Sequence, residues 1–115
     1  MKEIKERCFE FSLSIIKYIQ GIEVKRLYYS VFDQLLRSST SIGANVIEGK
    51  SAHLRKDFIK FYEIALKSAN ETNYWLMLIE KGLKIDKEET IIFHNEADEI
   101  SKILATIIIK TKPNN

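Results

Sequence analysis

Residues Ala44 to Ser51 read "ANVIEGKS". A small residue, four free positions and Gly-Lys-Ser satisfy a loose phosphate-loop formula, but the strict form wants glycine first, and Gly43 falls one residue early. A phosphate loop also needs a strand before it and a helix after it, so that backbone N–H groups converge on the phosphates. Here "ANVIE" continues an apolar repeat that starts upstream, at Val24, Tyr28, Val31, Leu35, Ser39, Ile42 and Val46. Steps of three and four residues are helical. The stretch therefore reads as the end of a helix over about residues 23–48, capped by Gly49, where carbonyl groups repel phosphate. No nucleotide site is expected, and the chain moves from the α/β class to the all-α class.

The same logic extends in both directions. Upstream, Ile4, Cys8, Phe11, Ile15 and Tyr18 or Ile19 recur at helical steps over about residues 3–20, with Gly21 as a left-handed stop. Downstream, Ser51 is a plausible cap for a third helix over about residues 55–81 that buries Phe58, Tyr62, Ala65, Ala69, Thr72, Leu76 and Ile79, and Gly82 closes it. Asp86 followed by Glu89 resembles a capping box for a fourth helix, with Phe93, Ala97, Ile100, Leu104 and Ile107 on one face and Pro113 past its end. Four amphipathic helices with short connections predict one domain over residues 1–115, an all-α, up-down-up-down antiparallel four-helix bundle.

Composition is consistent with this reading. A chain of 115 residues is long enough to bury about two-thirds of its unfolded surface without staples. Its one cysteine, Cys8, cannot form an intrachain disulfide and reads as a small core residue in a reducing compartment. The start "MKEIKERCFE" lacks the apolar run of a signal peptide, and "ILATIII" at residues 103–109 falls well short of the roughly 20 residues of a membrane span. The expectation is a cytoplasmic protein with no membrane partner.

From Gln34 onward the chain reads "QLLRSSTSIGANVIEGKSAHLRKDFIKFYEIALKSANE". This resembles a small bacterial family of four-helix-bundle proteins encoded in intervening sequences of large-subunit ribosomal RNA genes, related to the accessory variability protein of diversity-generating retroelements. The matching positions are Gln34, Arg37, Ser38, Ser41, Ile42, Asn45, Glu48, Gly49, Arg55, Phe58, Phe61, Ile64, Ala65, Ser68 and Glu71. The chain departs from the pattern at Val46-Ile47, where Ile-Ala is usual, and at Lys67, where glycine is usual. The resemblance implies a homo-oligomer, in relatives a pentameric barrel of bundles; no cofactor is expected.

The matched polar residues Gln34, Arg37, Ser38, Ser41, Asn45 and Glu48 fall into one stripe beside the apolar face of the second helix. Two readings stand: a hydrogen-bonded seam in which Arg37 pairs with Glu48 or Glu71 and fixes helix register, or a ligand site. Catalysis has no positive support. Neither His53 nor His94 follows a Glu at the spacing of a bundle metal site, and no local pairing joins Cys8 or a serine to a histidine. The expectation is a non-enzyme without catalytic or metal-binding residues.

Charge is unevenly spread. Residues 1–60 hold 11 Lys and Arg against 7 Asp and Glu, whereas residues 61–115 hold 7 against 9. Lys50, Arg55, Lys56 and Lys60 cluster near the start of the third helix, where the macrodipole disfavours cations, so helix stability does not explain them. They could face a phosphate backbone, meet the acidic residues Asp86, Glu88, Glu89, Glu96, Asp98 and Glu99 of another subunit, or form a solvated face.

The third helix also carries Ile59, Leu66 and Met77 in one extra row and Ile64, Trp75 and Leu78 in another. A helix apolar most of the way round is buried on most sides, which predicts an oligomer interface there. Two functions remain open: a nucleic-acid-binding or RNA-associated accessory factor whose basic patch is repeated by oligomerisation, or a structural oligomer docking a protein partner such as a reverse transcriptase.

Overall fold

The computed structural model describes residues 2–83, 85 and 87–113. Four helices follow one another: α1 (Ile4–Gln20), α2 (Tyr29–Lys50), α3 (Arg55–Leu78) and α4 (Lys87–Thr111). A 3-10 turn at Arg26–Tyr28 leads into α2, and a π-helical turn at Ile79–Leu83 extends α3. No strand occurs among the described residues.

Cross-helix contacts fix the directions. Ser12 Oγ of α1 donates to the Ser39 carbonyl of α2, while Glu3, just before α1, lies 4.0 Å from Lys50 at the far end of α2. Ser38 meets Thr72 and Ser41 meets Ser68 between α2 and α3. Between α3 and α4, Glu80 is near Thr90 and Glu63 near Lys112. Each successive pair is antiparallel. The fourth helix returns to the first through Phe93, whose ring stands edge-on to Phe11 and Tyr18 at 6.3 and 5.2 Å, and through the Arg7–Glu96 ion pair. The result is the up-down-up-down bundle, 49 × 25 × 20 Å, with α1 and α3 at opposite corners.

The predicted apolar repeats form the core. Ile4, Cys8, Phe11, Ile15 and Tyr18 of α1 are buried, as are Tyr62, Ala65, Ala69, Thr72, Leu76 and Ile79 along α3 and its π turn. From α2 come Leu35, Ser39, Ile42 and Val46, and from α4 Phe93, Ala97, Ile100 and Leu104. Phe32, Ser38, Thr90, Ser101 and Ile108 join them, and Ile107 is only half-buried.

Helix ends differ from the sequence reading in five places. Gly21 is right-handed, with φ −87°, so α1 stops without a left-handed residue. The second helix starts at Tyr29, because Ile22 and Val24 lie in a connector packed against the core, whose four-residue step up to Tyr28 imitates a helix. Ser51 does not cap α3: its hydroxyl donates back to the Ile47 carbonyl, and Leu54 stands at the cap position with no side-chain bond. Gly49 is not a C-cap either. It is buried within the last turn of α2, which runs on to Lys50. A Cβ there would lie 2.7 Å from Tyr62 Cδ1, so the glycine supplies room for a ring. The third helix continues past Gly82 as the π turn to Leu83, and the capping box read at Asp86 falls on a residue outside those described.

Cys8 is fully buried where α1 and α2 approach most closely, as a Cβ on Gly43 would stand 3.2 Å from Cys8 Cβ. Burial, with Glu96 adding to it, pushes the thiol from the ordinary 9.0 up to about 12. The unfolded thiol ionises above about pH 9 while the folded one keeps its proton, so stability is complete below that pH and falls by about 1.4 kcal/mol per unit above it. Denaturant melts between about pH 8 and about pH 11 should show this fall, and Cys8→Ala should flatten it. Burial also raises Tyr62 above 10.0, adding a loss of the same sign at higher pH. An equal slope in the alanine variant would refute the assignment to Cys8.

Candidate nucleic-acid interface

The start of α1, the end of α2, the start of α3 and the end of α4 share one end of the bundle, and cations gather there. Lys50 closes α2, Arg55 opens α3, and Lys56 and Lys60 follow one turn apart; all four are exposed. Arg55, Lys56 and Lys60 form no ion pair among the described residues, so their charge is free to face an anion. Lys50 stands somewhat apart, 4.0 Å from Glu3 and beside α1. The fold adds cations that lie far away in sequence: exposed Lys110 and Lys112 from α4, the latter 3.3 Å from Glu63. Lys67, two turns beyond Lys60, is also exposed, so the residue that replaces the family's glycine faces solvent and intrudes on no helix contact.

The acidic residues of α4 are largely used within the chain. Arg7 donates to Glu96 through Nε at 3.2 Å and Nη2 at 2.8 Å, with Glu99 at 3.5 Å, while Asp98 pairs with Lys102 at 3.3 Å. Hydrogen bonds to Glu10, Glu96 and Asp33 hold Lys2, Arg7 and Arg37 above their ordinary pKa values.

The polar stripe of α2 becomes a seam against α3, with a different membership from the one expected. Ser41 and Ser68 hydroxyls lie 2.9 Å apart, Thr72 Oγ1 donates to Ser38 Oγ at 3.1 Å, and Asn45 Nδ2 donates to the Ser41 carbonyl and hydroxyl at 2.8 and 3.0 Å. These short side chains bring the two backbones together and satisfy one another. Arg37 takes no part: it reaches Asp33 one turn back, at 2.8 Å, rather than Glu48 or Glu71. Glu71 accepts instead from Trp75 Nε1 at 3.0 Å, and Gln34 and Glu48 are exposed. Thr72 is the seam member missed among the polar residues, since its place in the apolar repeat of α3 marked it only as core.

The apolar rows on α3 divide. Ile59, Leu66 and Trp75 pack half-buried against the chain's own core, whereas Ile64, Met77 and Leu78 are exposed. A larger apolar surface lies on α1, where Phe9, Leu13 and Ile16 are 64%, 39% and 37% exposed, next to Ile47 of α2 at 52%. An open groove of about 580 Å³ runs here, lined by Lys5, Glu6, Phe9 and Glu10 of α1 with Ile47 and Lys50 of α2. Its signal was present in the sequence as a second stripe at steps of four and three.

Among the described residues no group of three or more His, Cys, Asp and Glu side chains is placed to hold a metal ion. Nor is any helix of the described residues long and apolar enough to cross a membrane.

No curated protein matches this chain. A solved structure from Bacteroides thetaiotaomicron, of a protein of unknown function from the S23 ribosomal protein family, is 39% identical, with a TM-score of 0.85 over 92% of this chain and 98% of that one. Residues 2–106 match the family model for the 23S rRNA-intervening sequence protein. A match across nearly the whole bundle, seam and basic end included, makes this chain a member of the 23S rRNA-intervening sequence protein family.

Proposed function

We propose that this protein is a non-enzymatic, cytoplasmic homo-oligomer that associates with RNA through the cationic end of the bundle. The observation that carries the reading is the set Arg55, Lys56 and Lys60, exposed at a helix start where the dipole disfavours them and without a carboxylate partner. Side chains kept in that setting gain nothing for the fold. They gain a Coulomb partner when a phosphate backbone approaches. Lys67 extends the exposed row along α3, and Lys110 adds charge at the same end of the bundle. The family's association with 23S ribosomal RNA intervening sequences fits an RNA partner.

One protomer with a net charge of +2 offers few phosphate contacts, so affinity comes from repetition. In a ring of bundles, as the relatives' pentameric barrels suggest, the cationic ends recur at fixed spacing and each bound site raises the effective concentration at the next. Titration of a structured RNA at low and moderate salt tests the reading. The triple variant R55E/K56E/K60E should lower affinity at least tenfold and reduce the slope of log K against log salt by up to about 0.9 for every phosphate that the variant no longer neutralises. Absence of binding by the wild type at low salt would sink the RNA reading and favour a structural oligomer that docks a protein partner, such as a reverse transcriptase.

A further inference from the structure

The two diagonal corners of the bundle, α1 and α3, have opposite character. On α3, Lys56, Lys60 and Lys67 point away from the core and are exposed, with Glu63 between them held by Lys112. On α1, the residues pointing away from the core are Phe9, Leu13 and Ile16, about 150° round the helix from the buried row Ile4, Cys8, Phe11, Ile15 and Tyr18. The row is covered only in part, and Phe9 is left 64% exposed. An outward apolar stripe on a helix that is already fully used on its inner side marks a contact with another molecule.

From this we infer that copies of the chain meet through α1, which lines the symmetry axis of the assembly while the lysine face of α3 turns outward. The inference rests on the homo-oligomeric reading above and names its surface. Charge argues for a second copy as the occupant. By helical position Glu6 and Glu10 fall on one flank of the apolar stripe, with Lys17 two turns further on, and Lys5 falls on the other flank, while Lys50 of α2 lines the same groove as Lys5, Glu6 and Glu10. Glu6 and Lys5 form no ion pair among the described residues, Glu10 bonds only the terminal Lys2, and Lys50 reaches Glu3 at the limit of contact.

When parallel copies are rotated about a common axis, the acidic flank of one α1 meets the basic flank of the next at the same height. That match is heterologous, one patch against a different patch, and such contacts close into rings when the rotation allows. Contact of about 800 Å² per partner, the usual size, is about a tenth of the 7689 Å² surface of the chain. The α1 stripe with Ile47 and the two flanks offers a patch of that order. The arrangement also orients the cationic end: Arg55, Lys56 and Lys60 lie on the outer wall, where a nucleic acid can reach every protomer.

Light scattering with size-exclusion chromatography tests this on the full chain. Wild type should elute as a multiple of 13.4 kDa. F9S/L13E should fall to the single-chain mass with its helical circular dichroism unchanged, since both side chains are exposed in the folded protomer. E6K/E10K and K5E/K50E should each dissociate, and the quadruple variant K5E/E6K/E10K/K50E should reassemble, a rescue that loss of folding cannot imitate. If F9S/L13E stays assembled while I64S/M77S/L78S dissociates, copies meet through α3 and this inference fails although the oligomeric reading stands. A monomeric wild type overturns both.

Discussion

Tyr62→Ala is expected to remove about 3–5 kcal/mol of stability, the range for truncating a large buried aromatic side chain. Tyr62 is 1% exposed and is the largest of the fully buried side chains. Its ring stacks on Phe58 at 4.2 Å with an interplanar angle of 22°, and its Cδ1–Cε1 edge lies against Gly49 of α2. Helix packing leaves nothing flexible to fill the space: Ala65 and Val46 are short and fully buried, and Gly49 has no side chain. The loss would take a large share of the roughly 5–15 kcal/mol that holds a domain of this size together. Urea or thermal melts followed by circular dichroism measure it. A loss below about 1 kcal/mol would mean that the aromatic pair is not an anchor of the α2–α3 contact.

Position on the helix, more than residue type, separates what the sequence disclosed from what it hid. Ile4, Cys8, Phe11 and Ile15 share one row and nothing in that row is charged, so their burial followed directly from the helical period. Ser38, Ser41 and Asn45 were legible as polar residues beside a helix contact because small polar side chains in a periodic stripe have few other uses. Their partners were not legible. Arg37 has a long side chain and a carboxylate one turn away at Asp33, and a local pair at 2.8 Å wins over a reach across helices because it orders fewer groups.

The choice of interface shows the same limit. Ile59 and Leu66 on one side of α3 and Trp75 on the other lie about 100° from the core row, near enough for α2 and α4 to cover much of them, while Ile64 on the same side as Trp75 stays exposed. Phe9, Leu13 and Ile16 lie about 150° away on average, and of these Phe9 is left the most exposed, at 64%. Angular offset from the core row, rather than the number of apolar residues on a helix, is therefore the signal that points to an outside partner. The cationic end was half legible for a related reason. Lys50 to Lys60 are adjacent in sequence, but Lys110 and Lys112 reach the same end only once α4 has folded back.

Gly49→Ala should cost about 1–2 kcal/mol, and the sign of its effect should depend on Tyr62. Two terms oppose each other. Alanine favours a helix over glycine by up to about 1 kcal/mol. Against this, its methyl group would lie 2.7 and 2.8 Å from Tyr62 Cδ1 and Cε1 and 3.3 Å from Phe61 Cβ. Overpacking a filled site costs about 1–3 kcal/mol, and the stacked Phe58 ring blocks the retreat of Tyr62, so the clash wins. In the Tyr62→Ala background the ring is gone and only the looser Phe61 contact remains. There Gly49→Ala should be neutral or should stabilise by a few tenths of a kcal/mol, giving a coupling of about 1–3 kcal/mol in a double-mutant cycle. A glycine needed as a helix terminator would behave differently, because its backbone requirement does not depend on a ring across the helix contact. Equal destabilisation by Gly49→Ala in both backgrounds would restore the capping role and remove the steric one. A strong coupling would make the Gly in "ANVIEGKS" the residue that lets α2 and α3 close around Tyr62, and so the residue that sets where the cationic end of α3 begins.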